Sequence, residues 1–486
     1  MHSDGCAPIT TPIVGRVSTA ADTRPADRSP GAPVDRTGVR WDLVLGVAGV
    51  LLVLAAGIAP HLLATDPRGN LTSTVAPLLA TWLPHVGWGT PFAVVVAAAA
   101  VAWGPTVAQR LSWRALLGST YALTLAWSMS LAMVDGWQRG FAGHLTTDDE
   151  YLAEVPRVTD VHAVLQTFTT HIIDYQPGRW TTHVAAHPPG ALLVYVGLDR
   201  LGLGGGTFAS LLTWAVGCTA GVAVLVAVRA LAGRDGSGPD GSGPGGEQLA
   251  RRAAPFLALA PTAVWVAVSA DGMFAAVSAW GIALLALAAT GSVRRPVVAA
   301  VAAGVLLGFS IYLSYGLVVL GVVAIAVLVA ARSWTPLLPA VLGALAVVAV
   351  FTALGFWWVD GYHLVVQRYY QGIAADRTYS YWIWANVAAL VCAIGIATPP
   401  GVRRALSPTR LRRREGLSLL VVGALLAIAA ADVSGLSRSE TERIWLPFGV
   451  WLLAATGLLP VRHHRAWLAT GAVTALLINH LLLTAW

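Results

Sequence analysis

Asp271-Gly-Met-Phe-Ala-Ala-Val-Ser-Ala-Trp-Gly-Ile-Ala-Leu-Leu-Ala-Leu-Ala-Ala-Thr290 carries one charged residue, at its first position, and is otherwise almost wholly apolar. A helix of about 20 such residues crosses the roughly 30 Å hydrocarbon core of a bilayer. Runs of this kind recur, and thirteen spans are read: 43–65, 91–109, 115–135, 206–232, 254–268, 271–290, 297–314, 316–332, 335–358, 380–398, 416–434, 444–460 and 466–485. Barrel strands need only about 9–11 residues, so these lengths indicate helices, which satisfy their backbone hydrogen bonds internally in lipid. The composition agrees. Hydrophobic residues make up 56% of the chain and charged ones 11%, with a mean hydropathy of +0.68, against about 25% charged in soluble domains. The expected fold is an all-α polytopic membrane protein of about 13 transmembrane helices.

The chain contains no lysine, so arginine alone reports orientation. With the N-terminus inside, 22 of the 31 arginines fall on cytoplasmic segments and 9 outside, while 9 of the 24 acids fall inside and 15 outside. Every inner segment is then basic, as the positive-inside rule requires. The net charge of +7 therefore reflects topology; membrane lipids are expected partners and nucleic acid is not. The stretch 187–203 looks like a helix but is short and carries Asp199 and Arg200. Counted as a span, it would put the Arg-rich 229–252 segment outside. Counted as an interfacial or re-entrant helix, it leaves all later loops obeying the charge rule. It is therefore expected within an extracytoplasmic loop running over 136–205. The expected location is the plasma membrane, multi-pass, with a cytoplasmic N-terminus and an extracytoplasmic active site.

Residues 1–42, rich in Pro, Asp, Arg, Thr and Gly, are expected to be a disordered cytoplasmic tail, and residues 43–486 the transmembrane domain. No signal peptide is expected, and the first span is expected to serve as the anchor. Residues 233–252 contain Asp-Gly-Ser-Gly-Pro twice in tandem, the composition of a flexible inner linker. Residues 399–415 form a basic inner loop that could touch anionic lipid. Cys6, Cys218 and Cys392 lie one in the tail and two in spans, so no disulfide or zinc framework follows.

Four outer segments hold nearly all the extracytoplasmic charge. In 136–205, Asp148-Asp149-Glu150 precedes Glu154 and Arg157, and His187-Pro188-Pro189-Gly190 follows. The second segment is the Ser269-Ala270-Asp271-Gly272 junction between two spans. The third, 359–379, holds His363, Arg368 and Arg377; the fourth, 434–445, holds Arg438, Glu440, Glu442 and Arg443. Tyr315 opens a span on the same side. A carboxylate can take a proton from a hydroxylated acceptor, arginines can hold a phosphate bidentately, and aromatic rings can stack on sugars or anchor at the interface. Asp148, Asp149 and Glu150 are the catalytic candidates, and the other residues are candidates for substrate binding. Plainer readings stand beside these. The acidic run could be a solvated loop face or a helix cap, and Glu154 and Arg157, at i and i+3, could pair only with each other. His187 could simply start the short helix, Asp271 could cap its span, and the charges at 438–443 could be ordinary loop charges. His144, His162, His171, His183 and His363 with the acids could bind a divalent metal, although no compact ligand spacing is visible. No other cofactor is implied.

The order of elements (a span, an outer acidic loop, a His-Pro-Pro element with a short helix, then alternating spans) resembles the GT-C superfamily of lipid-phosphosugar glycosyltransferases. Within it the chain is most similar to the branch holding protein O-mannosyltransferases and lipid A aminoarabinose transferases, and so looks glycosyltransferase family 39-like. Ala153-Glu154-Val155-Pro156-Arg157 resembles that branch's Ala-Glu-Ile-x-Arg stretch. Counting back from it places Asp148-Asp149 on the branch's acidic pair; reading Asp149-Glu150 as that pair shifts the register by one. His187-Pro188-Pro189-Gly190 resembles a Lys/His-Pro-Pro-Leu element with Gly in place of Leu, and Asp271 falls where related enzymes often show an outer-side Asp. The resemblance covers 115–330 by motif and 331–486 by pattern. It implies a polyprenyl-phosphate sugar donor and a cell-envelope acceptor hydroxyl on a glycan, glycolipid or protein. It also implies inverting attack, with Asp148 or Asp149 as base and outer arginines such as Arg443 and Arg438 balancing the phosphate. The Ala-, Val- and Arg-rich, lysine-free composition points to a high-GC, actinobacterial-like source. The competing class is a multi-span transporter or lipid flippase of the cell envelope. That class predicts repeated halves and charged or broken helices at mid-membrane, whereas no repeat is visible here and the charges cluster at one surface.

Overall fold

The computed structural model describes residues 36–63, 66, 68, 75–231 and 245–484. The tail before residue 36 and the linker residues 233–244 lie outside the described residues. The chain is a polytopic helical membrane protein. Among the described residues seven helices are long and apolar enough to cross a bilayer: Thr37–Leu62, Gly89–Arg110, Trp113–Asp135, Gly206–Leu231, Ala270–Ala289, Pro296–Leu313 and Gly416–Val433. Two bent pairs raise the number to nine if each counts as one span. Seven to nine of the thirteen expected spans thus meet that length and hydropathy, and the remaining stretches form shorter or broken helices.

The differences follow from particular residues. The first helix starts at Arg36, so residues 36–42, expected to be tail, are helical. The apolar stretch 254–268 is broken: one helix ends at Ala258, Pro261 sits in the gap, and a single turn follows at Ala263–Val266. The stretch expected as 335–358 ends at Ala353. After Gly355, held at φ 104°, a second helix (Trp358–Gln371) leaves at 76° to the first. The stretch 380–398 bends by 103° into Thr398–Ala405, at Gly395 (φ 79°) and Pro399-Pro400. The regions expected as loops at 359–379 and 399–415 are thus largely helical. Tyr315–Ala331 and Leu446–Leu458 are apolar but short. The His-Pro-Pro helix, Pro189–Arg200, has 12 residues, about 18 Å at 1.5 Å per residue, too little to cross.

Ala270–Ala289 is the axis of the bundle. In its most apolar window 78% of residues are buried, against 22% for the first two spans, which present their long faces outward. It packs between Gly206–Leu231 and Pro296–Leu313. The latter carries Gly304-Val-Leu-Leu-Gly308, the small-residue spacing that lets membrane helices approach closely. A Cβ on Gly304 would stand 1.8 Å from the Ala340 carbonyl oxygen of the neighbouring helix.

Two long-range ties fix the ends. Asp42, buried, accepts from Arg404 Nη2 at 2.6 Å and from Arg403 Nη2 at 2.8 Å, joining the start of the first helix to the basic 399–415 segment. On the opposite side Ala80–Trp82 pairs antiparallel with Leu482–Thr484. The first tie joins two segments expected on the cytoplasmic face. Cysteines placed at the exposed positions Thr147 and Thr409, in a chain lacking the three native ones, give a test. An impermeant maleimide should modify position 147 in intact cells and position 409 only after permeabilisation; the reverse order would refute the orientation.

Candidate active site

The 136–205 loop is built mostly from short helices and turns, and side chains tie these to one another. Glu154 Oε2 accepts from Arg157 Nη1 at 2.6 Å, and its Oε1 accepts from the Thr181 amide at 2.8 Å. The Arg157 guanidinium lies 4.6 Å from the centre of the Trp180 ring and donates to the Gly178 carbonyl. This clasp folds 178–183 back onto 149–154. The His183 amide then donates to the Asp149 carbonyl at 3.0 Å, and Thr182 Oγ1 to Asp149 Oδ1 at 2.7 Å. Asp148 and Asp149 remain exposed and Glu150 turns inward, buried.

At Glu150 the segments expected outside meet. Its Oε1 lies 3.0 Å from His183 Nδ1, and His183 Nε2 lies 3.1 Å from Arg443 Nη2. A guanidinium can only donate, so His183 Nε2 accepts and Nδ1 carries the proton toward Glu150. Arg443 also donates through Nη1 to Asp271 Oδ2 at 2.7 Å and through Nη2 to Glu440 Oε2 at 2.8 Å. Ser269 Oγ donates to the same Asp271 oxygen at 2.8 Å and caps the central helix. Glu440 Oε1 lies 3.3 Å from Arg377 Nη2. Arg377 donates through Nη1 to the Arg438 carbonyl, and Arg438 answers through Nη1 to the Arg377 carbonyl. Arg443, Asp271, Glu150, His183 and Arg377 are all buried, and such charges persist only when paired. Among the described residues Glu150 Oε2, also buried, has no hydrogen-bond partner.

The turn that delivers Glu440 and Arg443 is strained. Ser439 and Glu440 sit consecutively at φ 78° and 65°, a left-handed conformation costing non-glycine residues on the order of 1–3 kcal/mol each. Asn386, buried in the Tyr379–Ile394 helix, imposes it. Asn386 Nδ2 donates to Asp432 Oδ1 at 2.8 Å and to the Ser437 carbonyl at 2.6 Å; Oδ1 accepts from the Ser439 amide at 3.1 Å. Its carbonyl accepts from Thr441 Oγ1.

His187 adjoins the cluster. Tyr151 packs against both His183 and His187, and His187 Nδ1 lies 2.8 Å from the His183 carbonyl. Burial, with smaller contributions from His183 and Arg443, outweighs the opposing pull of Asp271 and lowers the His187 imidazole to about 4. After His187 the chain must pass close under Tyr312. A Cβ on Gly190 would stand 2.5 Å from the Tyr312 carbonyl oxygen, which accounts for Gly where the resembled motif has Leu.

Other expected residues lie elsewhere. Arg368 pairs with Asp174, and Gln371 Oε1 accepts from the Asp174 amide, so the Trp358–Gln371 helix is strapped over the loop. His363 on that helix is exposed. Tyr315 is buried against Trp358 and Tyr362. Glu442 turns away from the cluster and accepts from the Leu79 amide at 3.2 Å; burial pushes its carboxyl up to about 7. The five candidate metal histidines do not converge, and among the described residues no group of three or more His, Cys, Asp or Glu side chains is placed to hold a metal ion. The geometry adds His183 and Asn386 to the site. His183 carries a sequence signal in its i, i+4 spacing to His187, and Asn386 in being a polar residue within an apolar span.

No family model matches the chain, and no curated protein matches it. Among solved structures it is similar to an archaeal oligosaccharyltransferase, AglB from Archaeoglobus fulgidus, in complex with an inhibitory peptide and a dolichol-phosphate. The identity is 12% and the TM-score 0.37 over 71% of this chain and 50% of that one, so this chain spans about half the length of the protein it matches. At that TM-score the likeness carries no weight of its own.

Two outcomes follow from the His-Pro-Pro segment. Gly190→Ala should destabilise the protein by about 1–3 kcal/mol, the usual cost of overpacking, read as a lowered melting temperature in detergent. His187, at about 6.5 when unfolded, binds a proton in the unfolded chain that the folded protein refuses between pH 6.5 and about 4. Its contribution to stability is therefore lost as pH falls through that window, by up to about 1.4 kcal/mol per unit. Urea unfolding should show the wild type losing stability relative to His187→Gln over this range; parallel curves would mean that His187 is not held neutral.

Proposed function

We propose that the chain is an integral-membrane glycosyltransferase, working at the extracytoplasmic face. It would transfer a sugar from a polyprenyl-phosphate donor to a hydroxyl of a cell-envelope glycan, glycolipid or protein. The observation that carries this reading is the pairing of a buried carboxylate oxygen without a partner, Glu150 Oε2, with a buried guanidinium, Arg443, in one charge cluster.

The first supplies a proton acceptor and the second a seat for departing negative charge. The acceptor O–H loses its proton to the acidic run. Of its three members Glu150 fits best, because it alone is buried in the cluster, with Oε1 3.0 Å from His183 Nδ1 and Oε2 left for the acceptor. The acceptor oxygen then bonds to the anomeric carbon from the face opposite the phosphate. The carbon–oxygen bond to phosphate breaks, the configuration inverts, and polyprenyl phosphate departs against Arg443, with Arg377 and Arg438 behind it. Asp271 aligns Arg443. The transporter or flippase reading calls for ionisable groups distributed through the membrane interior; here Asp271 lies in the first turn of its helix and the other charges of the cluster in segments outside the spans.

Purified protein in liposomes, given polyprenyl-phosphate pentose and hexose donors and envelope acceptors, tests this. Glu150→Gln should lower transfer by about 10²–10⁴-fold, the usual share of general-base catalysis, measured below the variant's own melting temperature. Asp148→Asn and Asp149→Asn should cost far less. If Asp148→Asn or Asp149→Asn gives the large loss and Glu150→Gln does not, the base lies earlier in the run. Movement of lipid across the bilayer with no glycosidic bond formed would establish the transporter class instead.

A further inference from the structure

We infer that Glu440 is a built-in stand-in for the donor's phosphate: its carboxylate bridges Arg443 and Arg377 in the anion seat and is displaced when a phosphate ester enters. The inference rests on the reading of the site as one for a phosphate-linked donor and identifies which groups form its phosphate subsite.

Three observations lead to it. First, the bridge itself is phosphate-like. One Glu440 oxygen meets Arg443 Nη2 at 2.8 Å and the other meets Arg377 Nη2 at 3.3 Å, as two oxygens of one phosphate would. Arg377 Nε, buried at the same place, has no partner among the described residues, so the seat offers a donor that the carboxylate leaves unused. Second, the charges do not balance for an extra anion. Glu150, Asp271 and Glu440 already face two guanidiniums, Arg377 and Arg443, with His183 between. A phosphate added to that set would place four acidic groups on two buried cations, whereas a phosphate exchanged for Glu440 keeps the number of acids the same.

Third, Glu440 is the carboxylate able to leave. Its side chain is 21% exposed, against 6% for both Glu150 and Asp271. Asp271 is anchored by Ser269 at the head of the central helix, and Glu150 by the clasped loop. Glu440 stands instead on the left-handed turn at Ser439-Glu440, and among the described residues its carboxylate accepts hydrogen bonds only from the two arginines. A side chain that fills the seat most of the time lowers apparent donor affinity by the fraction of time the seat is open, and it keeps two buried arginines paired between turnovers.

Binding of polyprenyl phosphate to the full chain in detergent tests this, with inorganic phosphate as a second probe for the headgroup alone. Glu440→Gln and Glu440→Gly should each bind polyprenyl phosphate more tightly, by about 10-fold if the seat is open a tenth of the time in the wild type. Glycine adopts a positive φ without strain, so Glu440→Gly keeps the test valid if the Gln variant folds poorly. Adding Arg377→Gln to Glu440→Gly should remove the gain. Inorganic phosphate, weaker throughout, should rank the proteins in the same order. Wild-type binding that Glu440→Gly leaves unchanged or weakens would overturn the inference and leave the donor reading standing. A gain confined to the lipid and absent with inorganic phosphate would also overturn it. If neither the wild type nor any variant binds polyprenyl phosphate, the donor reading itself falls.

Discussion

A guanidinium removed from water must find its counter-charges before anything around it can settle. Arg443 finds them in groups that are far apart in sequence: Asp271 at the head of the central helix, Glu440 on a strained turn, and Glu150 through His183. Removing one partner from a buried pair typically costs about 3–5 kcal/mol. That requirement sets the register of the whole face that carries the cluster. The acidic loop, the span junction and the turn before residue 446 must all arrive together.

The membrane scaffold supplies the rigid references for that meeting. Asp271 can be offered to Arg443 because Ser269 starts the central helix at that point. The turn carrying Glu440 exists because Asn386, inside a neighbouring helix, uses its amide and its carbonyl on residues 432–441. The loop above is fastened from outside by Arg368 on the tilted Trp358–Gln371 helix and from below by the close pass of Gly190 under Tyr312. Polar side chains within or beside lipid-facing helices are costly, and here they hold backbone that no regular hydrogen-bond ladder holds.

The membrane class and the grouping of charge at one face were legible because they rest on composition and run length. Glu150, Asp271, Glu440 and Arg443 were among the residues marked for that face and do meet. Which member of Asp148-Asp149-Glu150 turns inward was not legible, because the Glu154–Arg157 clasp and the Asp149–His183 backbone bond decide it. The same clasp gives Glu154 and Arg157 a holding role that their spacing alone left open. Apolar runs at 335–358 and 380–398 read as straight spans because hydropathy does not register a bend at Gly355 or Gly395. His183 was marked only as one of five possible metal ligands, because its place in the cluster comes through contact with Arg443, which spacing does not show.

The central helix has one more consequence, which concerns how the protein can vary. Ala270–Ala289 is buried on nearly every side and built mostly from alanine, glycine, serine and leucine. An added methylene there has no lipid to move into, only another helix, and close-packed interiors respond to such changes with backbone shifts. Because its first turn also carries Asp271, any such shift would reach the charge cluster directly. The outward faces of Thr37–Leu62 and Gly89–Arg110 are free to exchange one apolar residue for another. Change is thus absorbed at the periphery, while the axis is left with almost no neutral substitutions.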